Sequence, residues 1–378
     1  MNNDNSLKNF SYVGIGRIIS IILHALFYLV IAALLEPEVY GELSVILALA
    51  GTFTILSLFG LNLSLQVYGA KKNSEITNQI ITLFIITTTA ASLILLTINQ
   101  IAAFLCISLS FFAMTQSQLL GAKQYKKLMI YSIIKSGAFF VIPIMLYFVF
   151  DINGIIFGMA ISNFLGSIPF FKNLSFRSFF GLKNYYKVLV HNFAVSAGGS
   201  LPFMLDKLLL AQFFGFFIVG IYSFNLQLFL VLAALPEILR QYLISEESSG
   251  VRHRKLSLFV VLTSVALVVI AIILIPILIP IIYPQYAEGI ESLQIMVISI
   301  VPLSIGVVFS SRLLAQESTR IGFTSIVRIG SMLISLAVLG EIYGLVGLAA
   351  AVLISQCADT LFLYLLYRKS RDKPSTVD

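Results

Sequence analysis

The sequence has no tryptophan, two cysteines, three histidines, and charged side chains at only 11% of its 378 positions. Each shortage excludes something. With 59% hydrophobic residues and so little charge, a soluble domain could not keep that much apolar surface from water. The mean hydropathy of +0.99 makes lipid the natural solvent for most of the chain. Cys106 and Cys357 both sit inside apolar runs, so they read as small buried hydrophobes, not as a disulfide framework or a metal site. There is no paired-carboxylate or Ser/His/Asp pattern, no glycine-rich phosphate loop ahead of a helix and no Cys/His cluster. Neither catalysis, a cofactor nor a metal is therefore expected. No polar segment is long enough to hold a nucleotide-binding domain. The N-terminus lacks the charged region, short apolar core and cleavage site of a secretory leader, so no removable signal peptide is expected. The net charge of +7 does not point to nucleic acid, because the basic residues fall in short loops between apolar segments, where they act as topology signals.

Apolar runs are what the chain has in abundance. A transmembrane helix needs about 20 mostly apolar residues, and twelve such segments are found, at 11–35, 39–68, 76–98, 100–121, 128–150, 152–171, 188–214, 216–243, 256–283, 289–314, 321–340 and 344–367. The expected fold is all-α, a polytopic membrane protein of two six-helix lobes, 1–187 (with a cytoplasmic linker) and 188–378 (with a short tail). Pro143, Pro202, Pro236, Pro276 and Pro302 inside the spans predict kinks.

Loop charge tests the count. Lys8, Lys71, Lys72, Lys123, Lys126, Lys127, Lys172, Arg177, Lys183, Lys187, Arg252, Arg254, Lys255, Arg320, Arg368, Lys369, Arg371 and Lys373 all fall on one side. The alternate loops carry Glu36, Glu38, Glu42, Asp151, Glu288, Glu291 and Glu341, and no Lys or Arg. The positive-inside rule then puts both termini in the cytoplasm of a cell-membrane protein. Without tryptophan the interfacial belts must be tyrosine, and Tyr40, Tyr125, Tyr185, Tyr186, Tyr283, Tyr343 and Tyr367 fall near predicted helix ends.

The halves echo each other. Gly41-Glu-Leu-Ser44 opens the second span and Gly220-Ile-Tyr-Ser223 the eighth. Ser117-Gln-Leu-Leu-Gly-Ala122 closes the fourth and Ser311-Arg-Leu-Leu-Ala-Gln316 the tenth. The sixth opens on Ile152-Asn-Gly-Ile-Ile-Phe-Gly-Met-Ala160 and the twelfth on Ile342-Tyr-Gly-Leu-Val-Gly-Leu-Ala349. Each match is displaced by six helices, which predicts a parallel repeat and two bundles enclosing a cavity that opens alternately.

Ionisable residues inside a bilayer cost about 2.5–3.5 kcal/mol each on insertion scales, so their positions matter. Arg17 and His24 lie seven residues apart in the first span and share a face. Lys135 lies in the fifth span and Arg328 in the eleventh. These four are candidate cations of a cavity wall that attracts an anionic head group; the competing reading has Arg17, Lys135 and Arg328 snorkelling to the interface. Asp206 and Lys207 in the seventh span are adjacent, so a regular helix points them apart, and Asp206 is expected to find its partner on another helix or to take a proton. With Asp359 of the twelfth span they are candidates for a coupling site or a structural ion pair. Asn62, Gln66, Gln116 and Asn225 either line an aqueous path or join helices.

Some longer strings resemble a known family. Leu201-Pro-Phe-Met-Leu-Asp-Lys-Leu-Leu-Leu-Ala-Gln-Phe-Phe-Gly215 followed by Val219-Gly-Ile-Tyr-Ser223, Tyr283-Pro-Gln-Tyr-Ala-Glu288, and Leu35-Glu-Pro-Glu-Val-Tyr-Gly41 resemble elements of the polysaccharide and O-antigen-type flippases of the multidrug/oligosaccharidyl-lipid/polysaccharide (MOP) exporter superfamily, which share a fold with multidrug and toxin extrusion (MATE) proteins and the lipid II flippase. The resemblance covers nearly the whole chain. It implies a lipid-phosphate- or lipid-diphosphate-linked glycan as cargo, the surrounding membrane lipid and H⁺ or Na⁺ as partners, a monomer, and a phosphate-handling role for Arg17. A drug exporter of the same fold would use carboxylates to bind organic cations, but the first six spans hold Arg17, His24 and Lys135 and, beyond the loop-end Glu42, no Asp or Glu. A membrane glycosyl polymerase is expected to carry a large basic external loop, and the external loops here are short and without Lys or Arg.

Overall fold

The computed structural model describes residues 3–172, 180–248, 254–315 and 322–371. Arg177, Arg252, Arg320 and Lys373 of the loop cations, and Gln316 of the repeat, lie outside the described residues. The helices are α1 (Asn3–Leu34), α2 (Pro37–Leu58), α3 (Leu61–Ala70), α4 (Ser74–Leu96), α5 (Gln100–Gly121), α6 (Tyr125–Gly166), α7 (Ile168–Phe171), α8 (Tyr186–Ser200), α9 (Pro202–Ser248), α10 (Arg254–Ile282), α11 (Ile290–Ile298), α12 (Ile300–Ala315) and α13 (Gly322–Arg371), with short 3₁₀ turns at Phe180–Tyr185 and Pro284–Gly289. No strand occurs among the described residues. Among the described residues nine stretches of helix are long and apolar enough to cross a membrane, the longest spanning 42 and 44 residues. The chain is a multi-pass membrane protein.

The three longest helices each contain a residue with non-helical dihedrals: Asp151 in α6 (φ 51°, ψ −141°), Gly215 in α9 (φ 76°, ψ 172°) and Gly344 in α13 (φ 55°, ψ −133°). Dividing α6, α9 and α13 there recovers the twelve segments read from the sequence, with the seventh formed by α8 and the first arm of α9. The second segment, expected as one span, is broken at Phe59 and Gly60, both at positive φ, into α2 and α3. The bends at Asp151, Gly215 and Gly344 and the break at Phe59–Gly60 do not fall at proline, whereas the junctions of α8 with α9 and of α11 with α12 lie just ahead of Pro202 and Pro302. Helical dihedrals continue through Pro143, Pro236 and Pro276. Pro202 is the first residue of α9 and Pro302 lies in the first turn of α12, where the missing N–H removes no helical bond.

The bends correct the register of the repeat. Asp151 and Gly344 share one conformation. Three residues on, a Cβ on Gly154 would fall on the Leu146 carbonyl oxygen, and a Cβ on Gly347 on that of Leu339. Gly154 therefore corresponds to Gly347, not to Gly344 as the matched strings suggest. What repeats is a bend followed by a glycine that lets the second arm pack on the backbone of the first, and aspartate stands at one of the two bends.

Contacts group the chain into two compact units, Met1–Leu34 with Glu42–Leu209, and Leu35–Gly41 with Leu210–Asp378. In the first, Phe84, Phe111 and Phe170 of α4, α5 and α7 meet edge to face, with centroids 5.2–5.8 Å apart, beside buried Leu65, Ile80 and Met114. In the second, the Tyr286 hydroxyl donates to the Leu35 carbonyl at 3.2 Å. Tyr40, expected in a belt, is 3% exposed and edge-on to Tyr286, whereas Tyr186 and Tyr343 are exposed, as a belt requires. Gly41 and Gly220 make a reciprocal contact: a Cβ on either would strike the carbonyl of Phe216 or Pro37, the residue four before its counterpart. Cys106 is buried as expected, while Cys357 is exposed.

Candidate functional site

Two of the basic residues singled out above meet inside the first unit. α1 packs along α6, and Lys135 Nζ lies 2.6 Å from His24 Nε2. His24 Nδ1 lies 2.6 Å from the Ser20 carbonyl oxygen. A carbonyl only accepts, so Nδ1 carries the ring hydrogen, Nε2 offers its lone pair and Lys135 Nζ donates. Lys135 is 7% exposed. Its Nζ sits 4.2 Å from the ring centroid of Phe139 and 5.3 Å from that of Phe112, and the imidazole stacks on Phe139 at 4.5 Å. No ion pair to Lys135 occurs among the described residues. A cation–π contact contributes about 0.5–2 kcal/mol and a hydrogen bond from a charged group about 1.5–3 kcal/mol. Together they are of the same size as the insertion cost of about 2.5–3.5 kcal/mol. Lys135 is thus held in the packing of α1, α5 and α6 and does not reach out to head groups.

Hydroxyls extend this cluster. Ser136 donates to Ser20 Oγ at 2.9 Å, and Ser20 Oγ approaches the Ser132 carbonyl at 3.5 Å. Ser20 and Ser132 also line a pocket of about 320 Å³ between α1, α5 and α6, together with Arg17 and Gln116. The walls around them are Val13, Leu120 and Met129. Arg17 is exposed. A guanidinium, an amide and two hydroxyl side chains on an apolar lining can recognise an anionic oxygen group while tolerating a hydrocarbon neighbour.

The structure therefore brings Arg17, His24, Lys135 and Gln116 together in one neighbourhood of the first unit. Ser20, Ser132 and Ser136 were missed, although the spacing could have found them. Ser20 stands three residues after Arg17 and four before His24, on the face they share; Ser132 stands three residues before Lys135, and Ser136 four after Ser132. Asn62 and Gln66 lie on α3 and do not line this pocket. The Asn62 Oδ1 atom is buried and has no hydrogen-bond partner among the described residues.

Asp206 is fully buried at the start of α9. Contrary to the expectation for adjacent residues, its Oδ1 lies 3.5 Å from Lys207 Nζ and accepts from the Lys207 backbone N–H at 2.7 Å. The flexible four-carbon lysine stem brings the ammonium back across the divergence of neighbouring helical positions.

The remaining candidates belong to the second unit. Asn225 is 1% exposed and donates to the Gly289 carbonyl and Ser292 Oγ at 2.9 and 2.7 Å, so it ties α9 to the start of α11. Arg328 and Asp359, on the two arms of α13, are near enough to interact electrostatically.

No family model matches the chain, and no curated protein matches it in sequence. Solved structures do match in fold. The lipid II flippase MurJ in an inward closed conformation superposes with a TM-score of 0.77 at 15% identity, over 94% of this chain and 87% of that one. An inward-facing multidrug resistance MATE family transporter of the MOP superfamily gives 0.67 at 13% identity, over 96% and 98%. A mutant of the Vibrio cholerae MATE transporter VcmN gives 0.56 at 17% identity, over 97% of both chains. The chain has the fold these transporters share.

Proposed function

We propose that the chain is a flippase that carries a lipid-linked oligosaccharide or polysaccharide precursor across the cytoplasmic membrane by alternating access. The observation that carries the reading is the pocket of Arg17, Ser20, Gln116 and Ser132, with Lys135 and His24 behind it. This is a positively charged, hydroxyl-bearing recess with apolar walls. Positive charge at membrane depth is retained where it meets an anion or an aqueous path, and a lipid-linked glycan offers a phosphate or diphosphate between its sugar and its tail. The fold supports the reading: the first neighbour named above is itself a lipid II flippase. Arg328 is a further cation of the cargo path in this reading, and Asn62 and Gln66 are polar lining. Asp206 with Lys207 forms a structural pair, and Asp359 answers Arg328. The functional halves are 1–187 and 188–378, both termini are cytoplasmic, the protein works as a monomer, and an ion gradient (H⁺ or Na⁺) or cargo supply drives the cycle.

Reconstitution in vesicles with a fluorescent polyprenyl-diphosphate-linked glycan tests this. Wild type should equilibrate the probe between leaflets, and Arg17→Ala should slow it about tenfold, the loss of roughly 1.4 kcal/mol of recognition. The MATE-like fold also supports an exporter of organic cations. If wild type leaves the glycan in place and expels a cationic dye instead, the exporter reading replaces this one.

A further inference from the structure

The Lys135–His24 contact has a property that the cargo pocket alone does not explain. Nζ donates a hydrogen to Nε2 whether the lysine is an ammonium or an amine, so the 2.6 Å contact survives the gain or loss of one proton. The ring tautomer is fixed from the other side by the Ser20 carbonyl. The ionisable groups around the pair are few. α1 contributes Arg17, in the adjoining pocket, and Tyr28, whose ring lies 6.4 Å from that of Phe139. α5 presents Phe112 and Gln116, which do not titrate. The first arm of α6 supplies Lys135 itself, and the second arm reaches the lysine through Gly166. No carboxylate among the described residues pins the lysine charge. Among the described residues the counter-charge is left to a ligand, and Ser20 and Ser132 connect the pair to the Arg17 pocket that they line.

We propose that the Lys135–His24 pair is a proton-binding site linked to the Arg17 pocket: it takes up one proton when an anionic phosphate group occupies the pocket and gives it back when the pocket empties. This rests on the flippase reading and names its coupling ion. The linkage is electrostatic. A negative charge nearby in a medium of low dielectric favours the ammonium over the amine, and the same interaction makes phosphate binding stronger as pH falls. Each cycle would then carry one proton outward with each head group, so the cycle is driven by cargo supply and not by an inward proton gradient.

The test uses the full chain in lipid nanodiscs and geranyl diphosphate as probe, with a pH-indicator dye in weak buffer. Wild type should take up as much as one proton per bound probe, more than the probe itself takes up on mixing with empty nanodiscs. Lys135→Arg, which keeps a permanent charge, should bind the probe with no uptake beyond that blank, and Lys135→Met should show the same loss. Binding by wild type without proton uptake would overturn the coupling and leave the flippase reading standing. Uptake by Lys135→Arg equal to that of wild type would put the proton elsewhere and also overturn it. If wild type fails to bind the probe, both the anionic cargo and the coupling that depends on it are lost. Nitrogen-15 spectra of histidine-labelled His191→Gln/His253→Gln protein, in which His24 is the only remaining imidazole, give an independent check that needs no change at the site. A hydrogen on Nδ1 supports the geometry, and a hydrogen on Nε2 alone would overturn it.

Discussion

Single residues reveal how buried charge is tolerated here. Lys135 is supported by an imidazole nitrogen and two aromatic faces, so the two ends of the contact are not equivalent. Removing the lysine leaves a ring with an unused lone pair beside a hydrocarbon of similar volume, while removing the ring leaves a buried N–H donor without its acceptor. Lys135→Met should therefore cost less than about 1.5 kcal/mol, and His24→Leu more, up to about 3 kcal/mol, the upper end for a buried donor stripped of its acceptor. Thermal unfolding of both variants in the same detergent checks the order, and a His24→Leu protein as stable as Lys135→Met would show that the ring does not support the lysine. The individual residues Arg17, His24 and Lys135 were legible in the sequence because charge is rare in it. Their meeting was not, since neighbours on different helices leave no periodic trace. Arg328 and Asp359 were noticed separately for the same reason.

At the scale of elements, helix existence was easy to read and helix breaking was not. Hydropathy marks where lipid or packing demands helix, but a bend depends on the backbone. Proline drew attention to itself, yet the bends sit at Asp151, Gly215 and Gly344. Of the two matching bends one is built on a residue suited to positive φ and the other is not. Asp151 holds φ 51° and ψ −141°, a region that non-glycine residues enter at a cost of about 1–3 kcal/mol. Asp151→Gly should accordingly stabilise the protein. Gly344→Ala should destabilise it by about 1–3 kcal/mol, although nothing lies within 4 Å of the added methyl carbon, because the cost lies in the backbone. Unfolding temperatures of the two variants should move in opposite directions; a shift of the same sign in both would mean that the bends are not equivalent.

For the whole molecule, alternating loop charge and the twelve segments support a single orientation, with Lys71 on the cytoplasmic side and Glu288 outside. Single-cysteine chains on a Cys106→Ser/Cys357→Ser background, Lys71→Cys and Glu288→Cys, should respond oppositely to a membrane-impermeant maleimide added to intact cells. Glu288→Cys should label and Lys71→Cys only after lysis, and the reverse would invert the topology. The repeated bend was legible in order but not in register, because an aspartate in one copy and a glycine in the other hide the correspondence from letter matching. The placement of Leu35–Gly41 in the second unit could not be read at all. It depends on the Tyr286 hydroxyl, the Tyr40 ring and the paired approach of Gly41 and Gly220, and these partners are nearly two hundred residues away in sequence or more.

That seven-residue loan has a consequence for biosynthesis. A ribosome that has released only the first half of the polypeptide has made Leu35–Gly41 without anything to receive it, so this hook must wait in the membrane until Gly220 and then Tyr286 emerge. Maturation of the first half cannot finish before the second is well under way, and a gene cut between the halves would yield a leading fragment with an unfilled grip, one that needs its sibling supplied in the same bilayer.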